Sequence, residues 1–222
     1  IIYETQRTEA DSLLDEADLV ICTDFNDPKR IGSLGDKMLS LSCKKMMIDH
    51  HLHPSDFPDL TLSYPSSPST CELVYRLINA LVPLLHGSLT TDMATCIYTG
   101  MMTDTGNFSF NSNYPEMYQI VGELVNFGVN EDAIYNRVFN AYSADRMRLM
   151  GYCLYQKMKI FPEYHTALIY LSRKELYRFN FQSGDAEGIV NLPLQIKDVY
   201  YSCFMREDKV NPTEVELAGG SK

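Results

Sequence analysis

Five carboxylate or imidazole side chains stand directly after predicted strands or at the end of a predicted helix. They are Asp24, Asp49, His50, His51 and Asp104. Carboxylate oxygens together with imidazole nitrogens suit Mn²⁺, Fe²⁺, Co²⁺ or Zn²⁺ better than Ca²⁺. Groups of this composition can hold two ions, which together stabilise the attacking and the leaving oxygen of a phosphoryl displacement. These residue types therefore favour metal-dependent hydrolysis of a phosphate ester.

Each of these residues taken alone also has a purely structural explanation. An aspartate after a strand is commonly a turn former or a helix cap, and we interpret the isolated His53, His86 and His165 as structural. The run 49–51 is harder to explain in this way, because three polar residues stand directly after the apolar run 46–48. This run, rather than any single residue, indicates a functional site.

The elements around these residues alternate between helix and strand. Helices are predicted at 8–17 and 36–42, and buried strands at 18–23 and 44–48. Such alternation is typical of an α/β fold with a doubly wound, mainly parallel sheet. Open sheets of this class bind ligands beyond the carboxyl ends of their strands, where the polar residues stand.

Apolar residues at helical spacing predict a series of further helices. A capping box of Ser69 with Glu72 would open the first, and Pro83 with Gly87 would end it. The last long helix carries a stripe of methionines, which we interpret as a packing face. Strands are predicted at 166–171 and 199–205. The predicted helices cover residues 69–81, 91–103, 116–127, 130–138, 143–159 and 173–179.

Charge and cysteine content limit the partners and the compartment. The 222-residue chain has a formal net charge of −10. That charge argues against a long nucleic-acid duplex as partner, since duplex binding needs many contacts from Lys or Arg to phosphate. A small phosphorylated substrate held through divalent ions stays compatible with it. The six cysteines are widely spaced without a CxxC pair, which indicates reduced thiols in a cytoplasmic protein.

The length of the apolar runs and the first residue of the sequence each give a further expectation. No apolar run approaches membrane-spanning length, so we expect no membrane partner. The sequence begins at Ile1 in the middle of a pattern and without a start methionine. We therefore expect further residues upstream.

Two motifs resemble those of a known family. Ile48-Asp49-His50-His51 together with Thr103-Asp104-Thr105-Gly106-Asn107-Phe108 resembles the DHH phosphoesterase superfamily. The match is best to its branch of oligoribonucleases (nano-RNases) and pAp phosphatases, which is related to the RecJ exonuclease. Further agreement lies at residues 22–26, 69–73, 140–143 and 187–191.

The resemblance implies a domain organisation and a metal cofactor. A DHH catalytic domain at 1–128 would be joined through a helical connector at 129–159 to a smaller α/β DHHA1 substrate-binding domain at 160–222. Two Mn²⁺ ions would lie in the catalytic cleft, although other divalent cations can take their place.

The resemblance also implies roles for the polar cluster. Asp24 would bridge both ions, while His50 and Asp104 would bind the second one. His51 would contact the scissile phosphate, and Asp49 would orient the neighbouring imidazoles.

Four further residues are implied as substrate contacts. Arg30 and Asn107 would contact phosphate or line the cleft. Gly219 and Gly220 would belong to the substrate-binding loop, which reads Gly-Gly-Gly-His in the family and Gly-Gly-Ser-Lys here. The family's first motif, a His and an Asp-x-Asp, has no counterpart in the sequence and would belong before Ile1. We expect segments to be missing there and near the abrupt join at 210–214.

Together the cluster and the resemblance predict a Mn²⁺-dependent phosphoesterase. Its substrates would be very short RNA oligonucleotides, the 3′-phosphate of pAp, or both, hydrolysed by two-metal hydroxide attack. Two alternatives stay open. One is a phosphodiesterase for c-di-AMP or its linear product, and the other is a non-catalytic nucleotide-binding module with an incomplete metal centre. Assembly as a homodimer is also left open.

Overall fold

The chain divides into two compact units, Ile1–Ile134 and Tyr135–Lys222. The computed structural model describes residues 1–208 and 215–221. The division falls inside one helix, α6 (Glu131–Phe139). The assignment of 1–128, 129–159 and 160–222 to a catalytic domain, a connector and a substrate-binding domain stays a prediction.

The first unit is built on a parallel sheet of three strands in the order β1-β2-β3. This arrangement confirms the predicted α/β class with a parallel sheet. The strands are β1 (Leu19–Thr23), β2 (Lys44–Asp49) and β3 (Leu60–Ser63). The helices of this unit are α1 (Arg7–Asp15), α2 (Ser33–Ser40), α3 (Thr70–Leu85), α4 (Thr91–Asp104) and α5 (Pro115–Asn126).

Strand β2 is the central strand of this sheet and is buried over most of its length. Met47 and Ile48 are buried as consecutive residues, so the strand is covered on both of its faces. Lys45 is also buried, and its ammonium group donates to the carbonyls of Leu41 and Cys43. Asp49 ends the strand at the edge of the sheet where ligands are expected.

Helix α3 begins where the sequence predicts but ends later. The Ser69 side chain caps it by accepting from the Glu72 backbone N–H at 3.1 Å. Pro83 lies inside the helix, so the prediction that it breaks the helix was wrong. Proline stands here in the last turn, where it removes only the bond to the carbonyl of Asn79, an exposed residue that water can reach.

The second unit contains a mixed sheet of four strands in the order β4-β5-β6-β7. The central pair β5 and β6 is parallel, and the two outer pairs are antiparallel. Its core includes Leu149, Cys153, Ile169 and Leu176. The elements are α7 (Ala144–Tyr152), β4 (Lys159–Phe161), β5 (Thr166–Leu171), α8 (Arg173–Arg178), β6 (Tyr201–Glu207) and β7 (Val215–Ser221).

Two predictions for the second unit need correction. The helix predicted at 143–159 is α-helical only to Tyr152 and continues as one π-helical turn, Cys153–Lys157. The fully buried core positions are Leu149 and Cys153. Of the predicted stripe Met147, Met150, Leu154 and Met158, Met158 packs against this core, whereas Met147 is 49% exposed, so the stripe is a packing face only in part.

The two glycines predicted for a substrate-binding loop also differ from expectation. Gly219 and Gly220 lie in strand β7, paired with Cys203 and Ser202 of β6. A strand forms because the edge of β6 satisfies the backbone groups of β7 that face it. The predicted join at 210–214 and Lys222 lie outside the described residues.

Candidate metal centre

Asp24 stands immediately after β1 in a left-handed backbone conformation, with φ of 66°. Aspartate tolerates this region better than most residues. Its backbone N–H donates to the carbonyl of Ile48 in the neighbouring strand at 3.1 Å. The Thr70 hydroxyl donates to Oδ1 of the Asp24 carboxylate at 2.9 Å. The carboxylate is therefore oriented by the protein while its side chain stays 54% exposed.

His50 lies close to two carboxylates, those of Asp24 and Asp104. Its Nε2 lies 3.7 Å from Oδ1 of Asp24 and 3.9 Å from Oδ2 of Asp104. Its Nδ1 lies 3.1 Å from the carbonyl oxygen of Ser67. A carbonyl oxygen can only accept, so Nδ1 carries a proton, and Nε2 is the ring nitrogen that faces the two carboxylates.

Asp49 holds the second imidazole. Its carboxylate is fully buried, with Oδ1 2.7 Å from Nδ1 of His51 and Oδ2 accepting the His51 backbone N–H at 2.9 Å. Sequence reasoning expected Asp49 to orient both imidazoles. The observed bonds join Asp49 to His51, whereas His50 is held by the carbonyl of Ser67.

The donor atoms of this cluster fit a divalent ion. One ligand atom from each of Asp24, His50 and His51 lies within 4.8 Å of the others. Two atoms that each lie about 2.1 Å from one ion are about 3–4 Å apart, which the distances from His50 to Asp24 and Asp104 satisfy. Oxygen and imidazole donors in this mixture suit borderline transition metals.

The pKa of Asp104 reflects the charges that converge in the cluster. Burial raises its pKa above the usual value, and the nearby Asp24 carboxylate raises it further. His50 and His51 act in the opposite direction and lower it. Two carboxylates that face each other in a partly buried site repel, and a bound cation would relieve that repulsion.

The segment after Asp104 forms a tight turn that fixes the end of α4. Gly106, Asn107 and Phe108 all have positive φ, at 54°, 58° and 59°. The buried Thr105 hydroxyl donates to the carbonyl of Met101 at 2.6 Å and accepts the Phe108 N–H at 2.9 Å. Asn107 thus lies directly beyond the cluster, and its contact with substrate stays a prediction.

A close approach of α3 and α4 brings Thr70 and Asp104 towards the same site. A Cβ at Gly100 of α4 would lie 2.1 Å from Sγ of Cys71 in α3. Only glycine leaves room for this sulfur. Gly100 therefore controls the separation of the two helices beside the cluster.

Two site residues, Ser67 and Thr70, were missed by sequence reasoning, and the predicted contact Arg30 bonds to a residue outside the cluster. Ser67 acts through its main-chain carbonyl, which carries no residue-type signal. Thr70 stands next to a helix cap and is easily interpreted as part of it. Arg30 lies in the 3₁₀ turn Pro28–Ile31 of the first unit, where its Nη1 donates to Asn26 at 3.4 Å.

Comparison with known proteins identifies the segment that carries this cluster. Residues 2–101 match the DHH family, N-terminal domain. This segment belongs to the DHH family. The matched DHH segment contains four of the five clustered residues, Asp24, Asp49, His50 and His51, and Asp104 follows its end by three positions.

Two curated relatives align with this chain over 201 and 107 residues. The bifunctional oligoribonuclease and PAP phosphatase NrnA of Bacillus subtilis is 27% identical over 201 residues, which is 90% of this chain and 62% of that protein. The protein of the same name from Thermus thermophilus is 36% identical over 107 residues, covering 48% of this chain and 32% of that protein.

A solved structure establishes the fold beyond the DHH segment. An exopolyphosphatase-related protein from Bacteroides fragilis is 44% identical and superposes with a TM-score of 0.92. The match covers 100% of this chain and 64% of that one. The chain thus spans less than two thirds of the length of the first relatives it matches. In the described part of the chain, no helix is long and apolar enough to cross a membrane.

Proposed function

We propose that the protein is a divalent-metal-dependent phosphoesterase. Its substrates are very short RNA oligonucleotides and the 3′-phosphate of pAp. The observation that carries this proposal is the position of His50 Nε2, 3.7 Å from Asp24 and 3.9 Å from Asp104. The names of the NrnA relatives, which describe an oligoribonuclease and a PAP phosphatase, support the substrate class.

Asp24, His50 and Asp104 are the residues that we assign to the metal. Their oxygen and imidazole donors suit Mn²⁺, for which Fe²⁺, Co²⁺ or Zn²⁺ can substitute. Bound divalent ions would lower the pKa of water and neutralise charge on the phosphate. Thr70 and the Ser67 carbonyl hold Asp24 and His50 in position, as hydrogen-bond partners of metal ligands commonly do.

His51 is the residue that we assign to the scissile phosphate. The bond to Asp49 fixes Nδ1, so Nε2 is the ring nitrogen left for substrate. Buried carboxylates in this position keep an imidazole in one orientation and stabilise its charged form when it takes up a proton. His51 would therefore donate to a phosphate oxygen as negative charge develops there.

The remaining assignments concern substrate binding. We assign Arg30 and Asn107 to phosphate contacts in the first unit. We assign Gly219 and Gly220 of the second unit to substrate binding as well, through the backbone of β7. The net charge of −10 disfavours a long polyanion, so short substrates with few phosphates fit the chain best.

Substitution at the two ends of one helix tests the metal assignment. Asp104→Asn removes a ligand at the carboxyl end of α4, whereas Asp92→Asn changes an exposed aspartate in its first turn. In the full-length protein we expect Asp104→Asn to abolish Mn²⁺-dependent release of mononucleotides from di- to pentanucleotides. Asp92→Asn keeps the wild-type rate. Undiminished turnover by Asp104→Asn would refute the assignment.

Substrate comparison separates this proposal from the two alternatives. Faster turnover of short RNA and pAp than of c-di-AMP supports the proposed substrates, and the reverse order supports a cyclic-dinucleotide phosphodiesterase. Purified full-length protein that lacks metal and binds nucleotide without hydrolysing it would indicate a non-catalytic module.

A further inference from the structure

A cavity of about 650 Å³ lies in the first unit, between α3 and the segment that follows β3. Leu62, Leu73 and Leu77 form an apolar part of its wall. Pockets for small molecules in proteins have volumes of about 300–1,000 Å³ and are mostly apolar with a few polar groups. The cavity belongs to this class by both criteria.

Two tyrosines and an arginine supply flat surfaces to the same cavity. They are Tyr64, Tyr114 and Arg76. Tyr64 is 55% exposed, so its ring is accessible to a ligand. Tyrosine rings and guanidinium groups both stack on planar aromatic groups.

The charges in the cavity wall cancel. Nη2 and Nε of Arg76 lie 2.7 and 2.8 Å from Oε1 of Glu72, whose side chain is only 3% exposed. The Tyr114 hydroxyl donates to the other carboxylate oxygen of Glu72. Because the guanidinium charge is already paired, the cavity favours a neutral planar group over a phosphate.

The cavity shares a wall with the candidate metal centre. Ser67 lines the cavity, and its carbonyl oxygen is the atom that holds His50. Three residues later, Thr70 holds Asp24. An occupant of the cavity would therefore contact the segment that positions two of the proposed metal ligands.

We propose that this cavity binds the base of a nucleoside or nucleotide. The tyrosines would stack on the ring system of the base, and the leucines would pack against the remaining parts of it. The side chains of Ser66 and Ser67 would offer polar partners to the edge of the base. The choice of a nucleobase among planar groups rests on the proposed function. The base has two sources, a neighbouring residue of the bound oligonucleotide or a free mononucleotide.

Binding without metal tests this site independently of hydrolysis. Adenosine, AMP and ribose 5-phosphate are titrated into the full-length protein in EDTA by calorimetry. We expect adenosine and AMP to bind with similar affinity and ribose 5-phosphate to show no binding. Binding of adenosine with no hydrolysis of any substrate would overturn the proposed function alone, whereas hydrolysis with no adenosine binding would overturn this inference alone.

Three variants locate the binding. Ala80→Trp fills the cavity from an exposed position of α3 and weakens adenosine binding at least about tenfold. Tyr64→Ala removes a stacking surface and also weakens it, and this variant decides the matter if Ala80→Trp does not fold. Tyr118→Ala, an equally exposed tyrosine of α5 outside the cavity wall, leaves binding unchanged. Unchanged affinity in the folded Ala80→Trp protein would overturn the proposal.

Kinetics distinguish the two sources of the base. If the base belongs to the substrate, Ala80→Trp raises the KM for a trinucleotide, and AMP competes with that substrate. If a free nucleotide fills the cavity, AMP changes kcat in the wild type and has no effect on Ala80→Trp. A cavity covered by a second copy of the chain would instead give no adenosine binding and a smaller assembly for Ala80→Trp, which would overturn the proposal.

Discussion

The Thr70 hydroxyl donates to Oδ1 of Asp24 at 2.9 Å, although the two residues are 46 positions apart in the chain. Thr70 is the first residue of α3, and Asp24 directly follows β1. The bond fixes one oxygen of a carboxylate that is otherwise more than half exposed. A helix start and a strand end thereby act together to orient a proposed metal ligand.

Removal of this hydroxyl should weaken metal binding. Thr70→Val keeps the shape of the side chain but leaves the Asp24 carboxylate free to rotate. Loss of such a partner commonly costs about 10–100-fold in metal affinity. We expect that loss in a Mn²⁺ titration of Thr70→Val, whereas Thr70→Ser keeps a hydroxyl and stays within a few-fold of wild type. Equal affinity for all three proteins would contradict this role.

Asp49→Asn should show whether His51 contacts the phosphate or binds the metal. The amide cannot accept from both the His51 ring and its backbone N–H as the carboxylate does. We expect a fall in kcat of at least about tenfold. If His51 contacts only the phosphate, Mn²⁺ affinity changes little, as calorimetry will show. A parallel loss of Mn²⁺ affinity would instead place His51 among the metal ligands.

Gly100→Ala should disturb both the fold and the metal centre. The new methyl group would lie 2.1 Å from Sγ and 3.0 Å from Cβ of Cys71, so the thiol must rotate away and α3 and α4 must move slightly apart. Overpacking of this kind costs about 1–3 kcal/mol, and Asp104 would move with the end of α4. The readouts are urea denaturation and Mn²⁺ affinity.

Two variants serve as controls for that experiment. Gly122→Ala adds the same methyl group in α5, where nothing lies within 4 Å. Because alanine is the better helix former, we expect Gly122→Ala to be neutral or slightly stabilising. Cys71→Ala combined with Gly100→Ala should recover part of the loss. Equal stability of the Gly100 and Gly122 variants would show that the close approach is not required.

Glu175 should make the second unit sensitive to acid. Burial alone would raise its pKa, but hydrogen bonds from Lys157, Tyr152 and Ser172 outweigh burial and lower the pKa to about 2. The folded state therefore holds the carboxylate ionised where the unfolded state is already protonated. This contribution to stability is complete above the ordinary pKa of 4.5 and is lost as the pH falls towards 2.

Unfolding of Glu175→Gln at two pH values tests that relation. We expect the substitution to lower the free energy of unfolding at pH 7 by about 1–3 kcal/mol. The difference from wild type should narrow at pH 3, because the wild type loses part of the same contribution. Glu163→Gln, at an exposed position of the same unit, should change little at either pH. A difference that is independent of pH would contradict the assigned cause.

The sequence predicts the parts of the fold that rest on long or strongly patterned segments. The apolar run 46–48 is a strand because it fills the centre of a parallel sheet. The apolar face of α4 at Ala94, Ile97 and Met101 is buried as its spacing indicates. The placement of polar residues beyond the strands follows from the same topology, and their role as metal ligands stays a prediction.

Other features depend on contacts that no local pattern encodes. Strand β3 has only four residues, and its pairing with β2 rather than its composition makes it a strand. The π-helical turn at Cys153–Lys157 places Nζ of Lys157 2.8 Å from Oε1 of Glu175, a residue of another helix. The bond of His50 to Ser67 uses a main-chain carbonyl, whose position depends on the whole segment before α3.

The central claim is that Asp24, His50 and Asp104 together hold divalent ions. The most direct measurement is anomalous diffraction from crystals of the full-length protein grown with Mn²⁺. We predict an anomalous peak within about 2.0–2.3 Å of Nε2 of His50 and of a carboxylate oxygen of Asp24 or Asp104. A protein that binds Mn²⁺ in solution but shows its anomalous peaks elsewhere in the crystal would contradict the account.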